Sequence, residues 1–395
     1  MRIAMLGTRG VPAAYGGFET AVEEVGQRLV SQGHRVTVYG RSTGEQAPRE
    51  HLGMKLVTLP ALRTKTLETL SHTALSAAHL GATRRHDVAF VFNAANAPLI
   101  PMIRSRGTAV AVHVDGLEWK RDKWGAWGRR YYRMAEQVAV READALIADA
   151  RGIQDYYTDE FGIQTDLITY GTKILKDSPT DLIEGIGLVP GHYHVVVARF
   201  EPENHVDVIV EGYRRSGATM PLVVVGSAPY AAEHTERIRR LAEGDARIRL
   251  LGGVYDQRML DQLYSHALSY LHGHSVGGTN PSLLRAMGAG TAVVGWDVVF
   301  NREVAGTAGL YFSSAAELAR SIEEVERYPF RFRDIGELMQ ERARERYDWD
   351  AVTECYESLA AKLARGYSTR GMSSGRRAQS AWSVRNPQAA DAARG

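Results

Sequence analysis

The chain has 395 residues, too many for one hydrophobic core, so we expect two domains. Hydrophobic residues make up 44% of the sequence and charged residues 24%, which indicates a globular protein rather than a disordered one. The formal net charge of +2 is too small to indicate nucleic-acid binding, so we expect no nucleic-acid partner. No run of about 18 apolar residues occurs, so we expect no transmembrane helix and a cytoplasmic location; contact with the inner face of the cell membrane stays open. The single cysteine, Cys355, excludes an internal disulfide bond.

Strand and helix patterns alternate along the first half of the chain. A short apolar run at 2–6 predicts a first strand rather than a signal peptide, and a helical period follows at 18–31. Further strands are predicted at 35–39, 55–58, 88–92, 109–113, 145–148 and 165–168. Such alternation is typical of an α/β fold with a parallel sheet.

The alternation weakens at 173–191, a segment rich in glycine and proline, and then resumes. In the second half the predicted strands lie at 194–198, 222–226, 248–251, 267–271 and 292–295. The helices predicted between and after them lie at 206–216, 230–244, 257–266 and 281–289. Two such series predict two doubly wound, Rossmann-like domains that face a central cleft, with ligands at the carboxyl ends of the strands.

These patterns divide the chain into five parts. We expect an N-terminal domain at 1–172, a linker at 173–191, a C-terminal domain at 192–345, a helix at 346–365 that packs back on the N-terminal domain, and a disordered basic tail at 366–395. The last helix, with Ala351, Cys355, Leu359 and Leu363 on one face, predicts a packed thiol. The tail has five arginines and one aspartate, which suits either a solvated segment or weak attraction to anionic lipid.

The segment HSVGGTNPSLLRAMGAG at 274–290 is the most informative motif. It follows an apolar strand, contains the pair Gly277-Gly278, and continues through Thr279 and Asn280 into a helix that starts with Pro281. Asparagine is a good N-cap, and proline suits the first helical position. Because backbone N–H groups and the helix dipole point at one spot, the motif predicts a phosphate or diphosphate site.

Two other loops follow predicted strands. Gly16 and Gly17 precede the first long helix and let the backbone approach a ligand closely, although a plain turn stays possible. A nicotinamide-binding loop requires G-x-G-x-x-G directly after the strand, and the segment after 2–6 lacks it. Arg199 ends the strand at 194–198, where its guanidinium is placed to grip phosphate oxygens, the alternative being a surface ion pair.

Together these motifs resemble GT-B glycosyltransferases of the retaining family 4 type. The segments GTRGVPAAYGGFET at 7–20, VDGLEWKRDKW at 114–124 and HSVGGTNP at 274–281 resemble a subgroup whose N-terminal half was catalogued as a domain of unknown function (DUF1972) and which includes bacterial rhamnosyltransferases. The resemblance runs from Met1 to about Arg365. It implies a nucleotide-diphosphate sugar as co-substrate, no cofactor and no metal.

The resemblance also assigns residues to roles. It places the donor on the loop with Gly277 and Gly278, on Arg199 and His274, and on the loop at 251–256 with Val254 and Tyr255, which lies along the nucleobase. The loop with Gly16 and Gly17 lies under the donor diphosphate or the acceptor. It places the acceptor near Tyr15, Glu19 and Trp119. Asn301 to Glu303 form a family-like turn. Asp348-Trp-Asp350 resembles a metal motif of the other glycosyltransferase fold, but an N-cap of the last helix is the preferred interpretation.

His113, Asp115 and Glu118 lie at the end of the strand at 109–113 and are the candidate catalytic residues. Carboxylates at this position can orient or deprotonate an acceptor hydroxyl. Ion pairing with Lys120, Arg121 and Lys123 is the equally weighted alternative.

The next segment, 119–132, interleaves five aromatic and five basic residues. This mixture suits a membrane surface with anionic lipid, where a polyprenyl-diphosphate-linked acceptor would lie. A helix with a buried aromatic face and solvated cations explains the pattern equally well, and single-stranded nucleic acid is disfavoured by the modest net charge.

Two residues depart from the family pattern. The family has a lysine where this chain has Asn204, and a glutamate that holds the ribose where this chain has Arg285. Arginine cannot accept the ribose hydrogen bonds, but it can reach a phosphate from the first turns of a helix. We therefore hypothesise that Arg285 is a phosphate ligand that offsets the missing lysine.

The sequence as a whole predicts transfer of a hexosyl group, with rhamnosyl as the leading sugar, to a saccharide or lipid-linked acceptor in cell-surface polysaccharide assembly. A non-catalytic sugar-nucleotide binder is the first alternative, motivated by Asn204 and Arg285. An NAD(P)-dependent sugar-nucleotide enzyme is the weaker alternative.

Overall fold

A computed structural model describes residues 1–13, 16–42, 48–62, 68–83, 85–114, 116–121, 124–227 and 232–374. The chain forms two compact units. Unit 1 comprises Met1–Trp119, Trp124–Thr169 and Asp350–Gly395, and unit 2 comprises Lys120–Lys123 and Tyr170–Trp349. Among the helices of the described ranges, none combines the length and the apolar character that a bilayer crossing requires.

Unit 1 is built on an eight-stranded sheet. The strands are β1 (Arg2–Leu6), β2 (Arg35–Arg41), β3 (Glu50–His51), β4 (Met54–Leu59), β5 (Val88–Phe92), β6 (Ala109–His113), β7 (Ala145–Ala148) and β8 (Asp166–Leu167). The helices are α1 (Gly17–Ser31), α2 (Glu68–Ala82), α3 (Ile100–Arg104), α4 (Ala126–Glu142) and α5 (Arg151–Phe161), with 3₁₀ turns at Ala94–Leu99 and Glu118–Lys120.

The strand order in unit 1 is β3-β4-β2-β1-β5-β6-β7-β8, and every pair is parallel except β3 with β4. Every residue of β5 is buried, as expected for a central strand covered on both faces. The order reverses between β1 and β5, so the loops that follow these strands flank the switch point at which ligands bind such sheets.

Unit 2 is a second α/β unit. Its strands are β9 (His194–Val197), β10 (Leu222–Val225), β11 (Ile248–Gly252), β12 (Ser269–His272), β13 (Ala292–Trp296) and β14 (Leu310–Phe312). Its helices are α6 (Asp181–Gly185), α7 (Val206–Arg215), α8 (Ala232–Ala242), α9 (Gln257–Ser265), α10 (Pro281–Gly288), α11 (Val299–Ala305), α12 (Ala315–Arg327) and α13 (Pro329–Arg346), with 3₁₀ turns at Pro202–Asn204 and Gly306–Ala308.

The sheet of unit 2 has the order β11-β10-β9-β12-β13-β14, and all of its pairs are parallel. Val196, Val224, Leu271 and Val294 are buried in one apolar cluster that includes residues of α7 and α12. The order reverses between β9 and β12. The predicted fold class, two α/β domains with parallel sheets, is confirmed.

The last helix, α14 (Trp349–Ala364), packs against unit 1. The Tyr356 ring lies 5.1 Å from that of Phe90, centroid to centroid, and Arg28 Nε lies 2.6 Å from Asp350 Oδ1. Of the predicted apolar face, Leu359 and Leu363 are buried as expected, whereas Ala351 and Cys355 are exposed. The prediction of a packed thiol was therefore wrong.

Two further segments differ from the expectations, and a third lies mostly outside the described residues. Asn301 to Glu303 lie within α11 rather than in a turn. The segment 173–191 contains α6, whose first turn is held by Gln262, since its Oε1 accepts the N–H groups of Leu182 and Ile183 at 2.9 and 3.2 Å. Most of the predicted disordered tail, 375–395, lies outside the described residues.

Candidate functional site

In unit 2, two predicted ligand-binding segments leave neighbouring strands at the switch point. Arg199 follows β9, and the segment 274–280 follows β12, which pairs with β9 through Ser269 and His194. Because the strands are parallel, both segments emerge at the same edge of the sheet. The fold thus places the guanidinium-bearing loop beside the Gly-Gly loop, as the sequence predicts.

Asn204 joins these two loops. Its Nδ2 donates to the Arg199 carbonyl at 2.8 Å, and its Oδ1 lies 2.7 Å from Nδ1 of His274. Since the amide nitrogen is committed to Arg199, Oδ1 is the acceptor and the His274 proton lies on Nδ1. Asn204 is only 5% exposed. In this structure the residue therefore ties the Arg199 loop to His274.

Neighbouring side chains reinforce this connection. His205 Nδ1 donates to the Gly273 carbonyl at 2.8 Å, and the His205 ring stacks on Trp296 at 3.7 Å. Asn301 Nδ2 donates to the His274 carbonyl at 2.8 Å and to the Trp296 carbonyl at 2.9 Å. A side chain at position 273 would collide with the Asn204 carbonyl, so only glycine permits this approach.

His274 and His272 are neutral in this environment. Burial lowers the pKa of His272 to about 3. Burial is also the main cause that holds the pKa of His274 well below its ordinary value, and the positive charges of Arg121 and Arg199 act in the same direction. The donor-binding role predicted for His274 is thus limited to hydrogen bonding and to shaping the loop.

The helix that follows the Gly-Gly loop begins as predicted. Asn280 is the N-cap of α10, its Oδ1 accepts the Ser282 N–H at 2.9 Å, and Pro281 occupies the first turn. Gly277 has φ +127°, a conformation that favours glycine, and Gly277, Gly278 and Thr279 are buried. The N-terminal end of an eight-residue helix thus lies next to the loop that carries Arg199, and both favour an anion.

Arg285 makes different contacts from those predicted. Its Nη2 lies 2.6 Å from Asp261 Oδ1 and its Nε 3.0 Å from the same oxygen, while Nη1 donates to Gln257 Oε1 at 2.8 Å. Among the described residues, its hydrogen bonds go to α9 and none goes to 274–280. In this structure Asp261 pairs with the guanidinium, and phosphate binding by Arg285 stays a prediction that these contacts do not support. Arg285 joins α9 to α10.

The remaining donor-side candidates lie at exposed positions. The Arg199 side chain is 40% exposed, and its Nη2 lies 3.3 Å from Glu201 Oε2. Val254 and Tyr255 lie in the loop between β11 and α9, and Tyr255 is 63% exposed. Asp256 ends this loop as the N-cap of α9, accepting the Arg258 N–H at 2.8 Å.

In unit 1, Gly16 and Gly17 lie at the start of α1, after the carboxyl end of β1. Gly16 has φ +116°, and a side chain there would collide with Glu19 Oε2. Glu19 Oε1 accepts the Arg9 N–H at 2.9 Å. Glu19, predicted to bind the acceptor, thus orders the loop between β1 and α1 in this structure. Tyr15 lies outside the described residues.

His113 lies in an aromatic cluster next to this loop. Its ring stacks on Phe92 at 5.7 Å and meets the edge of Phe18 at 5.2 Å. Because Phe18 directly follows Gly17, the fold brings the Gly-Gly loop and the end of β6 together. Burial lowers the pKa of His113 to about 3, which makes it a weak base at neutral pH. Asp115 lies outside the described residues.

Glu118 and Trp119 contact the segment at 124–136. Glu118 is buried, and its Oε2 accepts from Trp124 Nε1 at 3.3 Å. Trp119 Nε1 donates to Glu136 Oε1 at 3.1 Å. The Tyr131 hydroxyl donates to the Ala95 carbonyl at 2.7 Å. Most aromatic residues of 119–132 thus make internal contacts, as the second interpretation of this segment required, whereas Trp127 is 85% exposed.

Comparison with known proteins fits this geometry. Residues 16–170 match the family model described as a glycosyl transferase 4-like domain, and residues 191–327 match the model for glycosyl transferases group 1. The first match contains the Gly-Gly loop and His113, and the second contains Arg199 and 274–280. The chain is a glycosyltransferase of the GT-B type.

Solved structures show the same fold. The glycosyltransferase superposes on sucrose-phosphate synthase from Thermosynechococcus elongatus with a TM-score of 0.79 and 21% identity, covering 92% of this chain and 98% of that one. It superposes on HepE from Anabaena, in complex with UDP and glucose, with a TM-score of 0.74 and 17% identity, covering 91% and 99%. An E. coli trehalose-6-phosphate protein bound with UDP-2-fluoro glucose superposes with a TM-score of 0.69 and 10% identity. The match covers 91% of this chain and 99% of that one. No curated protein matches in sequence.

Sequence reasoning missed three residues of the glycosyltransferase that shape the site. His205 and Trp296 stack beneath the donor-side loops, and Asn96, fully buried, donates through Nδ2 to the Phe92 carbonyl at 2.9 Å. The signal for Asn96 was a polar residue soon after the buried strand 88–92. No sequence signal indicated that His205 and Trp296 stack on each other, because they are 91 positions apart in the sequence. Within the described ranges, no group of three His, Cys, Asp or Glu residues is placed to hold a metal ion.

Proposed function

We propose that this glycosyltransferase moves a hexosyl group from a nucleotide-diphosphate sugar to a saccharide or lipid-linked acceptor. The observation that carries the proposal is the pairing of Arg199 with the N-terminal end of α10, fixed to each other through Asn204 and His274. A guanidinium and a helix N-terminus together suit a diphosphate better than a neutral ligand.

The nucleotide and the sugar are the finer part of the proposal. HepE has been solved with UDP-glucose and the E. coli protein with UDP-2-fluoro glucose, which makes UDP the first nucleotide to test. Rhamnose is the first sugar to test because of the motifs at 7–20 and 114–124. We place the reaction in cell-surface polysaccharide assembly, with retention of the anomeric configuration and without a metal.

A thermal-shift series tests donor binding. UDP, dTDP and GDP and their sugars are each added to the purified protein, since a ligand at 100 times its Kd adds about 2.7 kcal/mol of stability. We expect one nucleotide series to raise Tm and the Arg199→Ala variant to lose that shift. The matched control is Arg302→Ala. Arg302 is an exposed arginine of α11 that is paired with Asp297. The absence of any shift would contradict the proposal.

A non-catalytic sugar-nucleotide binder is the second candidate. Two observations favour it: asparagine replaces the usual phosphate-binding lysine at position 204, and Arg285 replaces the ribose-binding glutamate and pairs with Asp261. Turnover decides between the two. Release of the nucleoside diphosphate in the presence of acceptors supports the transferase, and binding without release across a broad panel supports the binder.

A lipid-linked acceptor is supported by the exposed face of α4. Its exposed residues include Trp127, Met134 and four arginines, of which Arg141 is paired with Glu142 and the others are Arg129, Arg130 and Arg133. An exposed tryptophan among arginines suits the interface of an anionic membrane. Co-sedimentation with phosphatidylglycerol vesicles tests this part. We expect the double variant Arg130→Glu with Arg133→Glu to lose vesicle binding. The same change at Arg239 and Arg240 of α8 should preserve vesicle binding, and an equal loss in both double variants would contradict the lipid-linked acceptor.

A further inference from the structure

The amino-terminal edge of the unit 1 sheet carries an arginine-lined depression of about 450 Å³. Its lining comprises Met1, Arg2, Gly33, Arg35, Arg85 and Asp87. Arg2 and Arg35 begin β1 and β2 and are register partners, so their side chains leave the sheet next to each other. Gly16 and Gly17 follow the opposite end of β1, so the depression is separate from the Gly-Gly loop of unit 1, and it shares no residue with the Arg199 loop or α10 of unit 2.

The depression has an excess of positive charge. Three arginines face one carboxylate, and Asp87 Oδ2 accepts the backbone N–H of Arg2 at 2.7 Å. Across the part of the chain that the structure describes, none of the three guanidinium groups forms an ion pair with a carboxylate. Like charges at adjacent positions repel each other unless an anion lies between them.

The guanidinium groups of Arg85 and Arg2 are held by backbone carbonyls and keep donors to spare. Arg85 Nη2 donates to the Gly107 carbonyl at 2.9 Å, and a Cβ at Gly107 would lie 3.4 Å from the same nitrogen. Arg2 Nη1 reaches the Arg85 carbonyl at 3.5 Å. Each guanidinium has five N–H donors, so most of the donors of this cluster face the depression or solvent.

We propose that this depression binds a phosphate-bearing small molecule, as a site separate from the donor site. Planar arginine forks match phosphate oxygens in bidentate geometry, and several such forks at one place select for more than one negative charge. A volume of about 450 Å³ is within the range of small-molecule sites, roughly 300–1,000 Å³.

Calorimetric titration with inorganic pyrophosphate tests the site. The titration is done in an Arg199→Ala background, which removes the guanidinium of the proposed donor site. We expect Arg35→Ala with Arg85→Ala to weaken pyrophosphate binding at least tenfold. Arg239→Ala with Arg240→Ala, an equal loss of charge on the exposed surface of α8, leaves it within twofold. Equal affinity in the two double variants excludes free pyrophosphate as a ligand of the depression.

Two further arms identify the source of the phosphate and guard against misfolding. If the anion is a lipid headgroup, vesicles that contain phosphatidic acid bind in an Arg35- and Arg85-dependent manner while pyrophosphate does not. If neither pyrophosphate nor the vesicles depend on Arg35 and Arg85, the proposal is overturned. Arg35→Lys with Arg85→Lys keeps the charge and retains part of the affinity. A loss of affinity in the alanine variant with an unchanged Tm assigns the effect to binding. Failure of the lysine variant to recover any affinity overturns the proposal. Glycosyl transfer is not measured, so the result is independent of the proposed function.

Discussion

Oδ1 of Asn204 lies 2.7 Å from Nδ1 of His274, and this contact joins the loop after β9 to the loop after β12. His274 donates this hydrogen bond through Nδ1–H, and burial together with Arg121 and Arg199 keeps the pKa of His274 well below its ordinary value. At position 204, where the family resemblance implies a lysine, this chain thus has a residue that connects two loops.

Replacing Asn204 with lysine is therefore expected to weaken donor binding, although lysine is the usual phosphate ligand. An ammonium group cannot accept the His274 hydrogen bond, and it would be buried near Arg199. We expect the affinity for the preferred nucleoside diphosphate to fall about tenfold, which corresponds to about 1.4 kcal/mol. Calorimetry measures the affinity, with Asn204→Ala as the control for loss of the amide alone. Tighter binding by the lysine variant would show that position 204 is a direct ligand.

Arg199 is expected to affect binding and not stability. Its side chain is 40% exposed, and the ion pair with Glu201 contributes little to folding. Arg199→Ala should lower nucleoside diphosphate affinity by about 10- to 100-fold, since hydrogen bonds to charged groups contribute roughly 1.5–3 kcal/mol. Arg199→Lys should recover part of it. A lower Tm with unchanged affinity would instead assign a structural role.

Arg285 is expected to show the opposite behaviour. Arg285→Glu places two carboxylates together on α9 and α10 and should lower the free energy of unfolding by about 1–2 kcal/mol. Urea denaturation measures this loss, and the double variant Arg285→Glu with Asp261→Arg should recover part of it. If the single variant loses donor affinity without losing stability, Arg285 is a phosphate ligand after all.

His113 predicts a dependence of stability on pH. Burial lowers its folded-state pKa to about 3, whereas an unfolded histidine titrates near 6.5, so acid protonates the unfolded state first. The stabilisation is therefore complete above about pH 6.5 and is lost as the pH falls towards 3. At pH 5 the loss is about 2 kcal/mol. Denaturation of wild type and His113→Phe at pH 7 and pH 5 measures it.

We expect the difference between the two pH values to be smaller in the His113→Phe variant. Other buried groups contribute to acid unfolding, so only the difference between the proteins is informative. The control is His192→Phe, which removes an exposed histidine and should leave the difference unchanged. An identical pH dependence in wild type and His113→Phe would contradict the prediction.

The sequence by itself determined the local elements. Strands 2–6, 88–92, 109–113 and 145–148 have the predicted bounds, because short apolar runs between turn residues have few alternatives. Asn280 and Pro281 begin α10 as predicted, since capping involves only neighbouring residues. The position of Arg199 beside the Gly-Gly loop followed from strand order, a property that alternating strands and helices largely fix.

Only the tertiary structure decided what each side chain contacts. Asp261, which neutralises Arg285, lies 24 residues away on another helix, and His274 lies 70 residues from Asn204. The aromatic residues of 119–132 gave two equal interpretations, because an isolated helix presents the same pattern whether its aromatic face meets a membrane or the protein. The packing of Trp124 on Tyr132 and the hydrogen bond from Tyr131 to Ala95 favour the interpretation of internal packing for most of these aromatic residues. Such contacts join residues that are distant in sequence, and no local pattern records them.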